Sequence, residues 1–256
     1  MEHAPGSAPL SDITIEARRL LDGAQTASLP FRLLGGLAVA FRVPAGVAPL
    51  LPRVCKDIDF IVPNRTSARE ITNLFVTAGY AADEQFNALN GHRRLMYHDR
   101  GNQRQCDVFI GTFAMCHEIP LGDRIVAEPD TIPLAELMLT KLQVMELNDK
   151  DLRDILTLLY HHDLGDVDGA NTINLGRVAG LCAADWGLWR TATLSIERAA
   201  ASLAHLGLTD ANGALLQGRL QVLRSRLDKE PKTRKWKVRA RVGERIRWYE
   251  DVEEVG

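Results

Sequence analysis

The chain has 256 residues and a formal net charge of −2, and 46% of its residues are hydrophobic. This length and hydrophobic content are enough for one substantial domain, or for a core with a smaller helical part. No apolar stretch is long enough to span a membrane and the N-terminus lacks the features of a signal peptide, so we expect no membrane association. The four cysteines show no paired spacing, and we therefore expect a reduced, cytoplasmic setting.

The first predicted elements are a helix and a strand that ends at two glycines. Residues 1–10 form an arm containing Pro, Gly, Ser and Ala, and Ser11-Asp12 can cap a helix through about Leu21. Phe31–Leu34 is typical of a short strand, and it runs into Gly35-Gly36 and a helix-compatible apolar run. This arrangement presents backbone N–H groups and the positive end of a helix dipole, which suit phosphate oxygens. A tight turn without a ligand explains the two glycines alone equally well.

The next strand carries a pair of aspartates. Residues two apart on a strand point the same way, so Asp57 and Asp59 share one face while Ile58, Phe60 and Val62 pack into a core. Two like charges held this close cost free energy unless a cation lies between them, and Mg²⁺ takes oxygen ligands that it readily shares with phosphates. Such pairs also occur on solvated strands and turns, so the two aspartates indicate a metal site only if other residues of the chain support it.

A helix and a hairpin follow, and the hairpin carries a third acidic residue. Ser67 and Glu70 form a capping box that opens a helix. Arg93–His98 and Gln105–Ile110 flank a turn signal and predict two antiparallel strands. Asp107 lies among apolar residues of the second strand, where a carboxylate is costly unless it is paired or binds a metal.

The remainder of the chain is predicted to be helical. Residues 131–147 and 148–159 form two helices, with Lys141 on the first and Asp154 on the second. Taken singly, either charged residue is more simply explained as part of a solvated helix face. Further helices are expected near residues 174–183, 187–204 and 211–227.

The order of the motifs resembles a known superfamily. The glycine pair, the two nearby aspartates and the later single aspartate resemble the nucleotidyltransferases of the DNA polymerase β type: Gly35-Gly36, Asp57, Asp59 and Asp107. Lys141, followed by Lys150-Asp-x-x-Asp154, is similar to the AbiEii/AbiGii-type branch, which includes toxins of toxin–antitoxin and phage-defence systems. The resemblance covers roughly residues 30 to 160.

The resemblance implies an α+β fold and a reaction. The expected fold is a nucleotidyltransferase-like mixed sheet flanked by helices over residues 1–165, with a helical C-terminal part over residues 166–256. The implied activity is magnesium-dependent transfer of a nucleotidyl group from a nucleoside triphosphate to an acceptor, with release of pyrophosphate and with two Mg²⁺ ions when the nucleotide is bound. In that scheme Asp57 and Asp59 hold both ions, and Asp107 completes one metal site and acts as base.

The same resemblance assigns the nucleotide-binding residues. Gly35 and Gly36 would seat the triphosphate, Arg53 and Lys141 would neutralise it, and Asp154 would help to organise the site. The chain departs from the family at Gly36, where a serine is often found. Phosphate binding would therefore depend on backbone amides and the two cations.

The C-terminal part contains a basic segment. Residues 224–247 include eleven Lys or Arg and three acidic residues, so the segment carries +8 and the rest of the chain sums to −10. Trp236 lies among these cations, as in a surface that contacts phosphates and stacks bases, and RNA is our first candidate acceptor. A solvated face, or a cover for the acidic remainder of the chain, are alternative explanations. A protein side chain or a small-molecule hydroxyl are alternative acceptors.

A non-catalytic function is the alternative from a different class. The fold could serve as a nucleotide-sensing or partner-binding module, paired with an antitoxin-like protein. The three aspartates argue against this alternative, because without metal ions nothing would offset three clustered negative charges.

Overall fold

The computed structural model describes residues 8–251 and has an α+β fold, as the sequence predicts, with a mixed five-stranded sheet and flanking helices. The chain divides into two compact units. The first comprises the chain up to Phe41, Val54–Phe113 and Pro120–Pro133, and the second comprises Arg42–Arg53, Ala114–Ile119 and the chain from Leu134 onward. The predicted boundary between residues 165 and 166 lies inside the second unit and stays a prediction. The arm predicted for residues 1–10 lies largely outside the described residues.

The first unit is built on the five-stranded sheet, with strand order β1-β2-β5-β4-β3. Its strands are β1 (Arg32–Leu34), β2 (Ile58–Val62), β3 (Ala81–Ala82), β4 (Arg94–Asp99) and β5 (Arg104–Ile110). Its helices are α1 (Ile13–Thr26), α2 (Gly35–Arg42), α3 (Ala68–Thr77) and α4 (Glu84–Asn90), with a 3₁₀ turn at Gly122–Val126. Two short strands, β6 (Thr112–Ala114) and β7 (Glu118–Pro120), lie where the chain passes between the units.

The centre of this sheet is a parallel pair, β2 and β5, and the other pairings among its five strands are antiparallel. The hairpin of β4 and β5 confirms the predicted one. An aromatic cluster forms the core: Phe75 stacks on Tyr97 with ring centroids 4.1 Å apart, and Phe31 meets Phe60 edge-on at 5.3 Å. Such a core fixes the central strands rigidly, because close-packed rings leave the backbone little room to shift.

The helix caps in this unit follow the sequence signals. The Asp12 carboxylate accepts hydrogen bonds from two backbone N–H groups at the start of α1, and the Ser67 hydroxyl accepts one from Glu70 at the start of α3. Each cap satisfies N–H groups that have no partner within the helix. Helix α1 continues to Thr26, five residues beyond the predicted end near Leu21.

The second unit is mainly helical. Its helices are α5 (Leu134–Leu142), α6 (Asp149–His161), α7 (Leu175–Ala184), α8 (Trp186–Ser202), α9 (Asp210–Lys229) and α10 (Arg234–Val242). Short 3₁₀ turns lie at Leu203–His205 and Gly243–Arg245. A parallel pair of three-residue strands, β8 (Asp163–Gly165) and β9 (Thr172–Asn174), was not predicted. Every residue of α5 is buried, which makes it the central helix of this unit.

Helix α5 is shorter than the predicted 131–147. Thr131 forms a parallel bridge with Leu33, and this strand-like pairing delays the start of the helix to Leu134. At the other end, the Ser195 hydroxyl donates to the Leu142 carbonyl, and Arg198 donates to the carbonyl of Met145. These side chains satisfy carbonyls that a longer helix would have bonded internally.

No helix within residues 8–251 combines the length and the apolar character needed to cross a membrane. The four cysteines, all of which lie in this range, carry free thiols.

Candidate functional site

The predicted strand–Gly–Gly–helix turn is present at the edge of the first unit's sheet. Strand β1 passes directly into α2 at Gly35, which has a φ of +71°. A Cβ built on Gly35 would lie 2.2 Å from Oδ2 of Asp59, so only glycine fits at this position. The turn therefore packs its bare backbone against a carboxylate of the neighbouring strand, with which β1 is in register.

Two of the three predicted aspartates lie side by side. Asp59 on β2 is the register partner of Asp107 on the parallel strand β5, so both side chains emerge on the same face of the sheet. Asp59 is half-buried and Asp107 is only 2% exposed. Asp57 differs from the expectation of a strand residue: β2 begins at Ile58, and Asp57 is exposed in the segment just before it.

Asp107 has two polar partners that the sequence did not indicate. Arg94 on β4 donates from Nε to Oδ1 of Asp107 at 2.9 Å, and the Gln105 side-chain amide donates to Oδ2 at 2.8 Å. The Arg94 guanidinium also lies over the rings of Phe86 and Phe109, with centroids 5.6 and 5.1 Å away. These contacts hold the buried carboxylate in one orientation and offset its charge.

A signal for Arg94 exists in the hairpin register. Met96 is opposite Asp107 in the antiparallel pair β4–β5, so Arg94, two residues away, shares a face of the sheet with the aspartate. A hairpin prediction with an exact register would have placed this arginine beside Asp107.

Cys106, which precedes Asp107 on β5, is fully buried. Burial, followed by the negative charges of Asp107 and Asp59, raises the pKa of the Cys106 thiol well above its usual value. Because the thiolate is the reactive form of cysteine, this residue acts as an apolar packing group.

The donor set of the aspartates suits magnesium, although its arrangement is incomplete. Carboxylate oxygens are the ligands that Mg²⁺ prefers, and Asp59 and Asp107 supply them from adjacent strands. Within residues 8–251, however, the structure contains no group of three or more His, Cys, Asp or Glu side chains close enough to hold a metal ion. For a metal ion to bind all three predicted ligands, Asp57 would have to move towards Asp59 and Asp107, and Arg94 would have to release the carboxylate of Asp107.

The remaining predicted residues form an ion-pair cluster in the second unit. The Asp154 carboxylate lies 2.8 Å from Nε of Arg53 and 2.9 Å from Nζ of Lys141, which is also 3.3 Å from Asp151. The Asp154 side chain is 3% exposed and that of Lys141 is 10% exposed. The simpler explanation of a solvated helix face is therefore wrong for both residues.

The charge state of this cluster is fixed by its carboxylates. Burial alone would lower the pKa of Lys141, but the negative charges of Asp154 and Asp151 have the larger effect and raise this pKa. Lys141 consequently stays protonated at neutral pH. The two cations and two carboxylates balance, so the cluster carries no excess positive charge for a phosphate while all four residues are paired.

The basic segment separates into engaged and exposed cations. Lys232 donates to backbone carbonyls of Leu227 and Glu230 at the end of α9, and Arg239 donates to the carbonyls of Gly243 and Ile246. Other arginines of the segment form ion pairs with acidic residues: Arg224, Arg226 and Arg247. Helix α10 exposes a set of cations that we call the α10 basic face, Arg234, Lys237 and Arg241.

Comparison with known proteins adds little to this geometry. No protein-family model matches the chain, and no curated protein matches it. Among solved structures, an antigenic nucleotidyltransferase-like protein from Paracoccidioides brasiliensis is similar, with 14% sequence identity and a TM-score of 0.40 over 90% of this chain and 97% of that one. A similarity at this level leaves family and activity to be judged from the residues of the chain itself.

Proposed function

We propose that this protein is a magnesium-dependent nucleotidyltransferase, which moves a nucleotidyl group from a nucleoside triphosphate to an acceptor hydroxyl. The observation that supports this most directly is the packing of the Gly35 turn against Asp59, beside Asp107 on the next strand. Backbone N–H groups at the start of α2 and carboxylates on the adjacent strands β2 and β5 are the two features that a metal-bound triphosphate needs.

The proposed reaction is an in-line displacement at the α-phosphorus. A bond forms between the acceptor oxygen and the α-phosphorus, the bond from that phosphorus to the bridging oxygen breaks, and pyrophosphate leaves with the bond's electrons. The hydroxyl proton passes to Asp107, the carboxylate assigned as base. Asp57, Asp59 and Asp107 would hold Mg²⁺, which supplies charge neutralisation at the phosphates and a more acidic acceptor hydroxyl.

In this proposal the ion-pair cluster binds phosphate by exchange. Asp151 is the weaker partner of Lys141, because its oxygen lies 3.3 Å away and its side chain is more exposed than that of Asp154. A phosphate oxygen would replace Asp151, while Asp154 keeps Lys141 and Arg53 in place. This assigns Asp154 the organising role and the two cations the neutralising role.

The acceptor that we propose is RNA. The α10 basic face offers three exposed cations on adjacent helical turns, and Lys235 adds a fourth beside them. An RNA backbone rewards such an extended surface, because each neutralised phosphate releases counterions. A protein side chain or a small-molecule hydroxyl would not require it.

A nucleotide-sensing or partner-binding module of a toxin–antitoxin-type system is the second candidate, and one observation favours it. The ion pair with Arg94 offsets the charge of Asp107 without a metal. A buried aspartate can therefore persist on this strand for structural reasons alone. The AbiEii-type branch and an antitoxin-like partner remain proposals attached to either candidate.

A thermal-shift experiment with pyrophosphate detection distinguishes the two candidates. The nucleotidyltransferase should melt at a higher temperature with Mg²⁺ and a nucleoside triphosphate together than with either alone, because metal and phosphate complete each other's site. It should also release pyrophosphate, and Asp59→Asn should abolish that release without unfolding the protein. A nucleotide-dependent shift without pyrophosphate release would favour the sensing module.

A further inference from the structure

A cavity lies wholly within the second unit and contains none of the residues assigned above to metal or nucleoside triphosphate binding, although Lys235 also belongs to the proposed RNA-binding surface. Its volume is about 460 Å³, within the range of about 300–1,000 Å³ that small-molecule sites occupy. It is bounded by residues 114–118, the turn between α7 and α8, helix α10 and residues 247–250. Backbone and side-chain hydrogen bonds close it, from Glu250 to the carbonyl of Cys116 and from Trp248 to the hydroxyl of Thr191.

Aromatic side chains dominate the lining. Three of the chain's four tryptophans line the cavity together with a tyrosine: Trp186, Trp236, Trp248 and Tyr249. The guanidinium of Arg239 lies over the Trp186 ring at 4.7 Å, and that of Arg247 over Tyr249 at 4.6 Å. Because the protein's own arginines already occupy these ring positions, the cavity suits a planar neutral ring better than an organic cation.

A buried donor in this lining calls for a hydrogen-bond acceptor. The indole Nε1 of Trp236 is buried, and no acceptor for it is found among residues 8–251. An indole N–H can only donate, and a buried donor without a partner is unfavourable. This atom is closed to solvent, so the Trp236 side chain must turn to present it to the cavity, where a ligand ring with a carbonyl oxygen or an unprotonated ring nitrogen would supply the missing acceptor.

The charges around the cavity limit the ligand further. Three cations and three carboxylates line it: Lys235, Arg239, Arg247, Glu118, Asp185 and Glu250. Arg239 is bound to backbone carbonyls, Arg247 pairs with Asp251, and Asp185 caps α8, whereas Lys235 is exposed and has no ion pair within the described residues. This balance disfavours a highly charged ligand such as a triphosphate and leaves one cation for a single phosphate.

We propose that this cavity binds one nucleotide unit, with its base among the tryptophans and its phosphate on Lys235. The base carries both the aromatic surface and the acceptor that Trp236 lacks. The same chemistry is offered by a free nucleoside monophosphate and by an unstacked nucleotide of a single-stranded nucleic acid. The proposal does not depend on the proposed transferase activity, because no residue of the cavity is assigned to the metal ions or to the nucleoside triphosphate.

Tryptophan fluorescence provides the test, since all four tryptophans lie in the second unit. The full chain carrying Asp59→Asn is titrated, without Mg²⁺, with each nucleoside monophosphate and with a short single-stranded oligoribonucleotide. We expect saturable quenching that Lys235→Ala weakens about tenfold or more, as for loss of a charge-assisted contact. Lys237→Ala removes a neighbouring lysine of α10 that does not line the cavity and should leave the affinity for the nucleoside monophosphates unchanged.

The two ligand sources give different results. Equal affinity for the monophosphate and the oligoribonucleotide would identify a free nucleotide, and much tighter, salt-dependent binding of the oligoribonucleotide would identify a strand. Trp236→Phe keeps an aromatic ring but removes Nε1, and it should weaken binding while its melting temperature stays close to that of the parent. Absence of saturable quenching, or equal affinity of the Lys235→Ala and Lys237→Ala variants for the nucleoside monophosphates, would overturn the proposal.

Discussion

Replacing Gly35 by alanine tests the contact on which the candidate site depends. The new Cβ would lie 2.2 Å from Oδ2 of Asp59, whereas ordinary contact begins at 3.4 Å, so the carboxylate must move by about 1.2 Å. Displacements of this size at a reacting centre can reduce a rate by about a hundredfold. The left-handed backbone at φ +71° adds a folding cost of about 1–2 kcal/mol for any residue with a Cβ.

Gly46→Ala is the matched control for this variant. Gly46 also has a left-handed backbone, with a φ of +77°, but a Cβ there would meet nothing within 4 Å. Gly46→Ala should therefore lose about 1–2 kcal/mol in urea unfolding and Gly35→Ala at least as much, and only Gly35→Ala should lose pyrophosphate release and the joint stabilisation by Mg²⁺ and nucleotide. Full activity of Gly35→Ala would refute the assignment of this turn and Asp59 to the site.

Three further predictions follow from the second unit. Lys141→Ala should weaken nucleotide binding in calorimetry. It should also lower the free energy of unfolding in urea by about 2 kcal/mol, because Asp154 loses one of its two buried partners. Asp151→Asn, in contrast, should keep the nucleotide affinity. Burial lowers the pKa of His162 from 6.5 to about 4, so on acidification the unfolded chain takes up a proton before the folded chain does. The free energy of unfolding should therefore fall as the pH drops from 6.5 towards 4 and level off below 4. His162→Asn should reduce the slope of this decrease. Replacing the α10 basic face by glutamines should lower RNA affinity and reduce the salt slope by about 2, while removing three exposed arginines of the first unit should change neither: Arg65, Arg69 and Arg100.

Local signals in the sequence predicted the elements that carry the site. The strand–glycine–helix turn at Gly35, the helix cap at Ser67 and the strand around Asp107 each depend on a few adjacent residues, and the structure confirms them. Asp57 was expected on the strand, yet the ladder starts at Ile58. The position of a strand end depends on which backbone groups find partners, and the alternation of side chains does not reveal this.

The pairings that set the charges of the site were not predictable in the same way. Arg53 and Asp154 are about a hundred residues apart, and only tertiary packing brings them together. The position of Arg94 beside Asp107 could be predicted only from the register of the β4–β5 hairpin. The turn sequence indicated a hairpin but did not determine its register. The strands β8 and β9 have three residues each, too few for an alternating pattern to show.

Transfer of label from the α-phosphate is the most direct test of the proposed activity. The full chain is incubated with each α-labelled nucleoside triphosphate, Mg²⁺, total RNA and cell protein, beside the Asp59→Asn variant. The proposed function predicts that label enters RNA with the wild-type chain and that the variant transfers none. Absence of transfer to every acceptor, or equal transfer by the variant, would contradict the assignment of nucleotidyl transfer to Asp59 and Asp107.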